Sequence, residues 1–122
     1  MRKMALGVGL LGMSAFLVAP ALADPLKIVL TVHGATSNEF WQPVKKGFED
    51  ACGKIQADCQ MLFTSTNGSI EQQAANMEAG LAGNPDALIT TIADNKAFDK
   101  IISDARAKGA DTATTEFYIV LG

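Results

Sequence analysis

Two short stretches hold side chains suited to gripping a small neutral ring. The first carries His33, Asn38, Phe40 and Trp41, the second Thr91, Asp94 and Asn95. Asn and Asp fork hydrogen bonds to neighbouring hydroxyls, and an aromatic ring packs on an apolar face of C–H groups. A sugar offers both, with polar edges, apolar faces and no net charge to neutralise. Trp41 has the larger ring and an N–H to satisfy, which makes it the better ligand candidate of the two aromatics. Each residue also has a plainer use. Phe40 serves equally as a core staple under a helix, and Asn38 and Asp94 are good helix caps. Thr91 packs as a β-branched residue, and His33 suits a strand end.

Other chemistries lack their residues. No Gly-x-Gly-x-x-Gly follows the first strand, and there is no phosphate-loop Lys or Gly-x-Ser-x-Gly elbow. One His and scattered carboxylates make no catalytic set without a paired nucleophile. Two Cys and one His do not fill a zinc site. No cofactor is expected.

The elements that must position these residues read as strand–helix units. Ile28–Val32 is a continuous apolar run, the pattern of a strand covered on both faces. Pro43 is tolerated only in a first helical turn, so a helix starts between Phe40 and Pro43. Its expected stripe is Val44, Phe48, Ala51, Cys52 and Ile55. A second strand spans about Cys59–Phe63, and Thr64–Gly68 is a turn cluster. Ser69 and Gln72 form a capping-box signature for a helix with the stripe Ile70, Ala74, Met77 and Leu81. Gly80, Gly83, Asn84 and Pro85 are expected to end that helix. Ala87–Ile92 is the third strand. Asp94 or Asn95 caps a third helix with the stripe Phe98, Ile101, Ile102 and Ala105, stopped at Lys108-Gly109. This pattern predicts an α/β fold with right-handed crossovers. It is a Rossmann-like three-layer lobe with a parallel sheet of order 2-1-3, continued by a fourth strand where one exists. Ligands of such sheets lie beyond the carboxyl ends of the strands, where the order reverses. There the loops His33–Trp41 and Thr90–Lys96 meet.

The N-terminus predicts export. Met1-Arg2-Lys3 is followed by an uncharged apolar run, then Pro20 and Ala21-Leu22-Ala23, a leader with its cleavage site at residues 1–23. Without Arg2 and Lys3, 8 of the 10 basic residues remain against all 13 acidic ones, a net charge near −5. A chain so charged has no electrostatic footprint for nucleic acid. In an oxidising compartment Cys52 and Cys59 suggest a disulfide, with two buried thiols as the alternative. After Ala110 the regular alternation stops. Asp111–Thr115 is polar, and Phe117–Leu121 has the composition of a late strand.

Four segments carry a family resemblance: KIVLTVHG from Lys27, NEFWQPVKKGFEDA at Asn38–Ala51, SIEQQAANMEAGLAGNPDALI at Ser69–Ile89 and IADNKAFDKIISDARAKGA at Ile92–Ala110. From Lys27 to Ala110 the chain resembles the N-terminal lobe of periplasmic sugar-binding proteins of the ribose-binding (type I) family, the solute receptors of ABC importers. The resemblance implies two lobes closing around a monosaccharide, with an Asn and an aromatic pair after the first strand and an Asp after the third. These map onto Asn38, Phe40, Trp41 and Asp94. It further implies a monomer in the periplasm that delivers its sugar to a permease in the inner membrane, with no catalysis. Family members usually carry Asn-Pro ahead of the aromatic pair, whereas this chain has Asn38-Glu39. The fourth strand, hinges and second lobe are not recognisable. The expectation is therefore a lobe at 24–110, an unrelated tail at 111–122, a truncated product, and weak or no sugar binding. The alternatives are a small flavodoxin-like exported domain with an enzymatic role, and a repressor-type regulator, which the leader and the missing DNA-binding helices disfavour.

Overall fold

The computed structural model describes residues 23–94 and 96–115. The expected leader, apart from Ala23, lies outside them, as do Asn95 and the late strand expected at Phe117–Leu121. Seven elements alternate: β1 (Lys27–Ala35), α1 (Trp41–Ile55), β2 (Asp58–Thr64), α2 (Ile70–Ala82), β3 (Ala87–Thr91), α3 (Asp99–Ala107) and β4 (Asp111–Thr115). The four strands form one parallel sheet in the order β2-β1-β3-β4. The α/β lobe expected from the strand–helix pattern is therefore the fold.

Beside β1 the side chains divide between two cores. Val29 joins Met77, Leu88, Phe98 and Ala105, bringing α2 and α3 onto one face. Leu30 and Val32 join Trp41, with Val44 and Phe48 packed beside them, so α1 covers the other face. This division explains why β1 reads as an unbroken apolar run, since neither face of a central parallel strand meets water. Gly80 belongs to the first core. A Cβ there would approach Val29 Cγ1 to 2.7 Å, so Gly80 is a close-packing residue inside α2 and not part of its stop. The helix ends at Gly83, with Asn84 in the left-handed region at φ 49°. On α1 the stripe is narrower than its sequence suggests: Ala51 is exposed and Ile55 is 59% exposed.

Beyond Ala110 the structure corrects the expectation of a chain without a fourth strand. Asp111–Thr115 pairs in parallel with β3 from Ala87↔Asp111 to Thr91↔Thr115. The Asp111 N–H donates to the Asp86 carbonyl at 3.0 Å and starts the register. Four of its five residues are polar, but three are Thr, whose branched Cβ favours extended backbone.

Cys52 in α1 and Cys59 in β2 are joined by a disulfide, with their Cα atoms 6.2 Å apart. A cross-link between positions seven residues apart removes denatured-state entropy equivalent to about 2.5 kcal/mol on the loop-closure account. Reduction, or a Cys52→Ser/Cys59→Ser double variant, should lower the urea midpoint by that equivalent. A loss below about 1 kcal/mol would show that the bond adds little to the packing around it.

Candidate functional site

At the carboxyl ends of β1 and β2 lies a cleft of about 210 Å³, lined by His33, Gly34, Asn38, Phe40, Trp41, Asn67 and Gly68. Its floor is the irregular end of β1. The β1–β2 register shifts between Thr31 and Ala35, and such irregularities re-aim side chains next to functional sites. Gly34 lies inside the shift. A Cβ there would sit 1.6 Å from Trp41 Nε1, so the indole lies flush against the glycine backbone. Only a residue without a side chain allows that approach.

Both aromatics line the cleft, at different depths. Trp41 is 3% exposed and Phe40 45% exposed. Their rings meet edge to face with centroids 5.0 Å apart, and His33 meets Trp41 the same way at 5.2 Å. Trp41 thus forms the inner wall, held between Gly34, His33 and Phe40, while Phe40 is the more exposed of the two rings lining the cleft. The turn leading to them is set by Asn38. Its backbone N–H donates to the Ala35 carbonyl at 3.0 Å, and its Oδ1 accepts from the Phe40 N–H at 3.1 Å. That bond is the Asx turn an Asn makes with the backbone two residues on.

The β2–α2 loop supplies two lining residues that the sequence marked only as a turn. Asn67 Oδ1 accepts from the Ala35 N–H at 2.7 Å, and the Gly68 N–H donates to the His33 carbonyl at 2.6 Å. Gly68 adopts φ 75°, a backbone state a side chain would strain. Ser69 Oγ accepts from the Gln72 N–H at 3.3 Å, one half of the expected capping box. The Gln72 carboxamide turns back into the loop instead. Its Oε1 accepts from the Ser65 and Thr66 N–H groups at 2.8 and 3.1 Å.

Thr91 and Asp94 lie at the same edge of the sheet but do not line the cleft. Thr91 is 1% exposed. Its hydroxyl meets His33 Nδ1 at 2.8 Å and the His33 N–H at 3.2 Å. Asp94 does not cap α3 as expected, since the helix begins at Asp99 with Phe98 at its N-cap and no side-chain cap bond. It closes the turn before the helix, its Oδ1 accepting from the Lys96 and Ala97 N–H groups at 2.9 and 2.8 Å. Those backbone bonds hold its carboxyl below the usual range. Behind Thr91 stands Gln73, fully buried on α2, a residue the apolar stripe of that helix did not include. Its Nε2 donates to the Thr91 carbonyl at 2.7 Å, while its Oε1 has no hydrogen-bond partner among the described residues. Leaving a buried amide oxygen unpaired costs about 1–3 kcal/mol. The position was findable in principle, since Gln73, Met77 and Gly80 share one helical face and Gln is the polar intruder on it.

Burial pushes the His33 imidazole below its ordinary value. A lowered folded-state value means that the unfolded chain binds the proton more readily. The contribution of His33 to stability is therefore full above the ordinary imidazole range and is lost as pH falls through it. Between about pH 8 and about pH 5, the urea midpoint of the native chain should fall more than that of His33→Gln. Parallel declines would contradict this.

Similarity to known proteins agrees with the geometry. Residues 28–117 match the family model described as periplasmic binding protein domain. The chain belongs to this family. Over 94 residues it is 31% identical to a xylose/arabinose-binding protein of Sulfolobus acidocaldarius, covering 76% of this chain and 23% of the relative. It also resembles the crystal structure of a periplasmic sugar-binding protein of an ABC sugar transporter from Legionella pneumophila. There the TM-score is 0.66 at 26% identity, over 70% of this chain and 31% of the other. An ABC transporter solute-binding protein from Actinobacillus succinogenes, solved with bound D-allose, gives 0.66 at 25% identity, over 71% and 30%. The chain thus spans less than a quarter of the curated relative's length. Among the described residues, no three His, Cys, Asp or Glu side chains are grouped to hold a metal ion, and no helix is long and apolar enough to cross a membrane.

Proposed function

We propose that the chain binds a neutral monosaccharide, without catalysis, as a solute receptor that serves an ABC-importer permease from the periplasm. The observation that carries this is the cleft at the carboxyl edge of the parallel strands, walled by Phe40 and Trp41 and edged by Asn38, Asn67 and His33. Aromatic faces with uncharged polar groups match a hydroxylated ring better than a charged metabolite. The names of the relatives support the same class, and a pentose is the first candidate, since the curated relative is named for xylose and arabinose. Asp94, at the same edge, is proposed to reach the ligand with the carboxylate oxygen that does not close its turn, and Asn95, next in sequence, is proposed with it. The family match favours this reading over a flavodoxin-like enzyme.

The described cleft contacts one side of a ring, so this lobe by itself should bind weakly; a monomeric chain is proposed with it. Calorimetry with D-xylose, L-arabinose and D-allose should give heats fitting millimolar dissociation constants, and a sugar phosphate none. Micromolar affinity would refute the weak-binding part. No heat from any neutral sugar, or heat from the phosphate alone, would refute the assignment.

A further inference from the structure

We propose that Thr91 and Gln73 are positioning residues that hold His33 in one neutral tautomer, with its proton on Nε2, so that the cleft presents a fixed N–H donor. The argument is a count of hydrogens around one oxygen. Three nitrogens converge on Thr91 Oγ1: the His33 backbone N–H at 3.2 Å, Gln73 Nε2 at 3.2 Å and His33 Nδ1 at 2.8 Å. A hydroxyl has one hydrogen to give and two lone pairs to receive. The backbone amide can only donate.

Gln73 must also present its nitrogen here. The Thr91 carbonyl, 2.7 Å from Nε2, can only accept, so the edge of the carboxamide facing it is the NH₂ edge. The second Gln73 hydrogen is shared between Thr90 Oγ1 at 3.1 Å and Thr91 Oγ1. Thr90 in turn accepts from the Thr31 hydroxyl at 2.9 Å, which ties the amide into a buried polar row across β1 and β3. With both lone pairs of Thr91 Oγ1 engaged, its own hydrogen points to the remaining partner, His33 Nδ1. That nitrogen is an acceptor, and the imidazole proton sits on Nε2. The hydrogen bond at one ring nitrogen sets the state of the other.

The arrangement also accounts for a buried glutamine whose oxygen goes unpaired: its nitrogen is the part in use. His33 lines the cleft, and Nε2 has no hydrogen-bond partner among the described residues. On the reading of the cleft as a sugar site, Nε2–H is available to an acceptor oxygen of the sugar, a hydroxyl or the ring oxygen. The tautomer itself does not depend on that reading.

The test is nitrogen NMR of the protein labelled at His33, its only histidine. In the neutral form the native chain should show Nε2 carrying the proton and Nδ1 bare. Thr91→Ser should keep that pattern, because it keeps the hydroxyl. Gln73→Leu, which frees a lone pair on Thr91, should shift the ring to a mixture of tautomers. A proton on Nδ1 in the native chain would overturn the proposal with no variant needed, and so would an unchanged tautomer in a folded Gln73→Leu. Adding D-xylose should then move the Nε2 signal more than the Nδ1 signal. A tautomer found as stated, with an Nε2 signal that no neutral sugar moves, would overturn the binding reading and leave the tautomer assignment standing.

Discussion

Gly34→Ala should cost about 3 kcal/mol and expose the tryptophan. The new methyl would lie 1.6 Å from Trp41 Nε1 and 2.1 Å from Cδ1, far inside any tolerable contact. Either the end of β1 must move, breaking the bonds that tie it to Asn67 and Gly68, or the indole must leave. Overpacking of this kind typically costs about 1–3 kcal/mol, and loss of a buried Trp side chain about 3–5 kcal/mol. Whichever response is cheaper sets the result, and neither is small against a domain stability of about 5–15 kcal/mol. Trp41 is the only tryptophan, so its emission reports this site alone. The variant should show red-shifted emission and a lower urea midpoint. Gly47→Ala is the matched control, since a Cβ there meets nothing within 4 Å, and Ala in an exposed helix should be neutral or stabilising by about 0.5–1 kcal/mol. Equal midpoints and unchanged emission in Gly34→Ala would mean that the indole does not rest on the glycine.

Phe98→Ala should cost about 3–5 kcal/mol, the range for emptying a well-packed aromatic site. Phe98 is 1% exposed and packs with Val29, Met77, Leu88 and Ala105. It stands at the entry to α3, where its carbonyl accepts from the Ile102 N–H at 2.9 Å. The effect should be uneven across the molecule. The end of α3 leads into β4 through the Ala110 N–H bond to the Ala105 carbonyl. Losing the Phe98 anchor should therefore loosen α3 and β4 before β1 and β2. Hydrogen exchange would show it as faster exchange of the α3 and β4 amides, with β1 following only the global loss. A cost below about 1 kcal/mol, or uniform acceleration, would contradict the assignment of Phe98 as the anchor of that side.

What the sequence made legible depended on whether the signal was local. The apolar run of β1, Pro43 in the first turn of α1 and the Phe98, Ile101, Ile102 and Ala105 stripe are local patterns, and the elements fell where they pointed. Strand β4 did not. A central parallel strand normally reads as an apolar run, but β4 ends the described sheet with Asp111 exposed, and Asp111–Thr115 carries its extended preference in branched threonines instead. At the cleft, His33, Asn38, Phe40 and Trp41 were nameable because they follow one strand. Asn67 and Gly68 come from the neighbouring loop and enter through backbone bonds to Ala35 and His33, which no spacing announces. The deeper burial of Trp41 relative to Phe40 was hidden for a related reason: it depends on Gly34 offering a bare backbone for the indole to lie on.

The central claim is that a neutral sugar sits in the cleft between the ends of β1 and β2. Backbone amide NMR during titration with D-xylose tests it residue by residue. Shifts concentrated at His33, Gly34, Asn38, Phe40, Trp41, Asn67 and Gly68, with the amides at the opposite ends of the strands unmoved, are the predicted result. Saturating shifts elsewhere on the lobe, or none at any of these seven positions with any neutral monosaccharide, would contradict it.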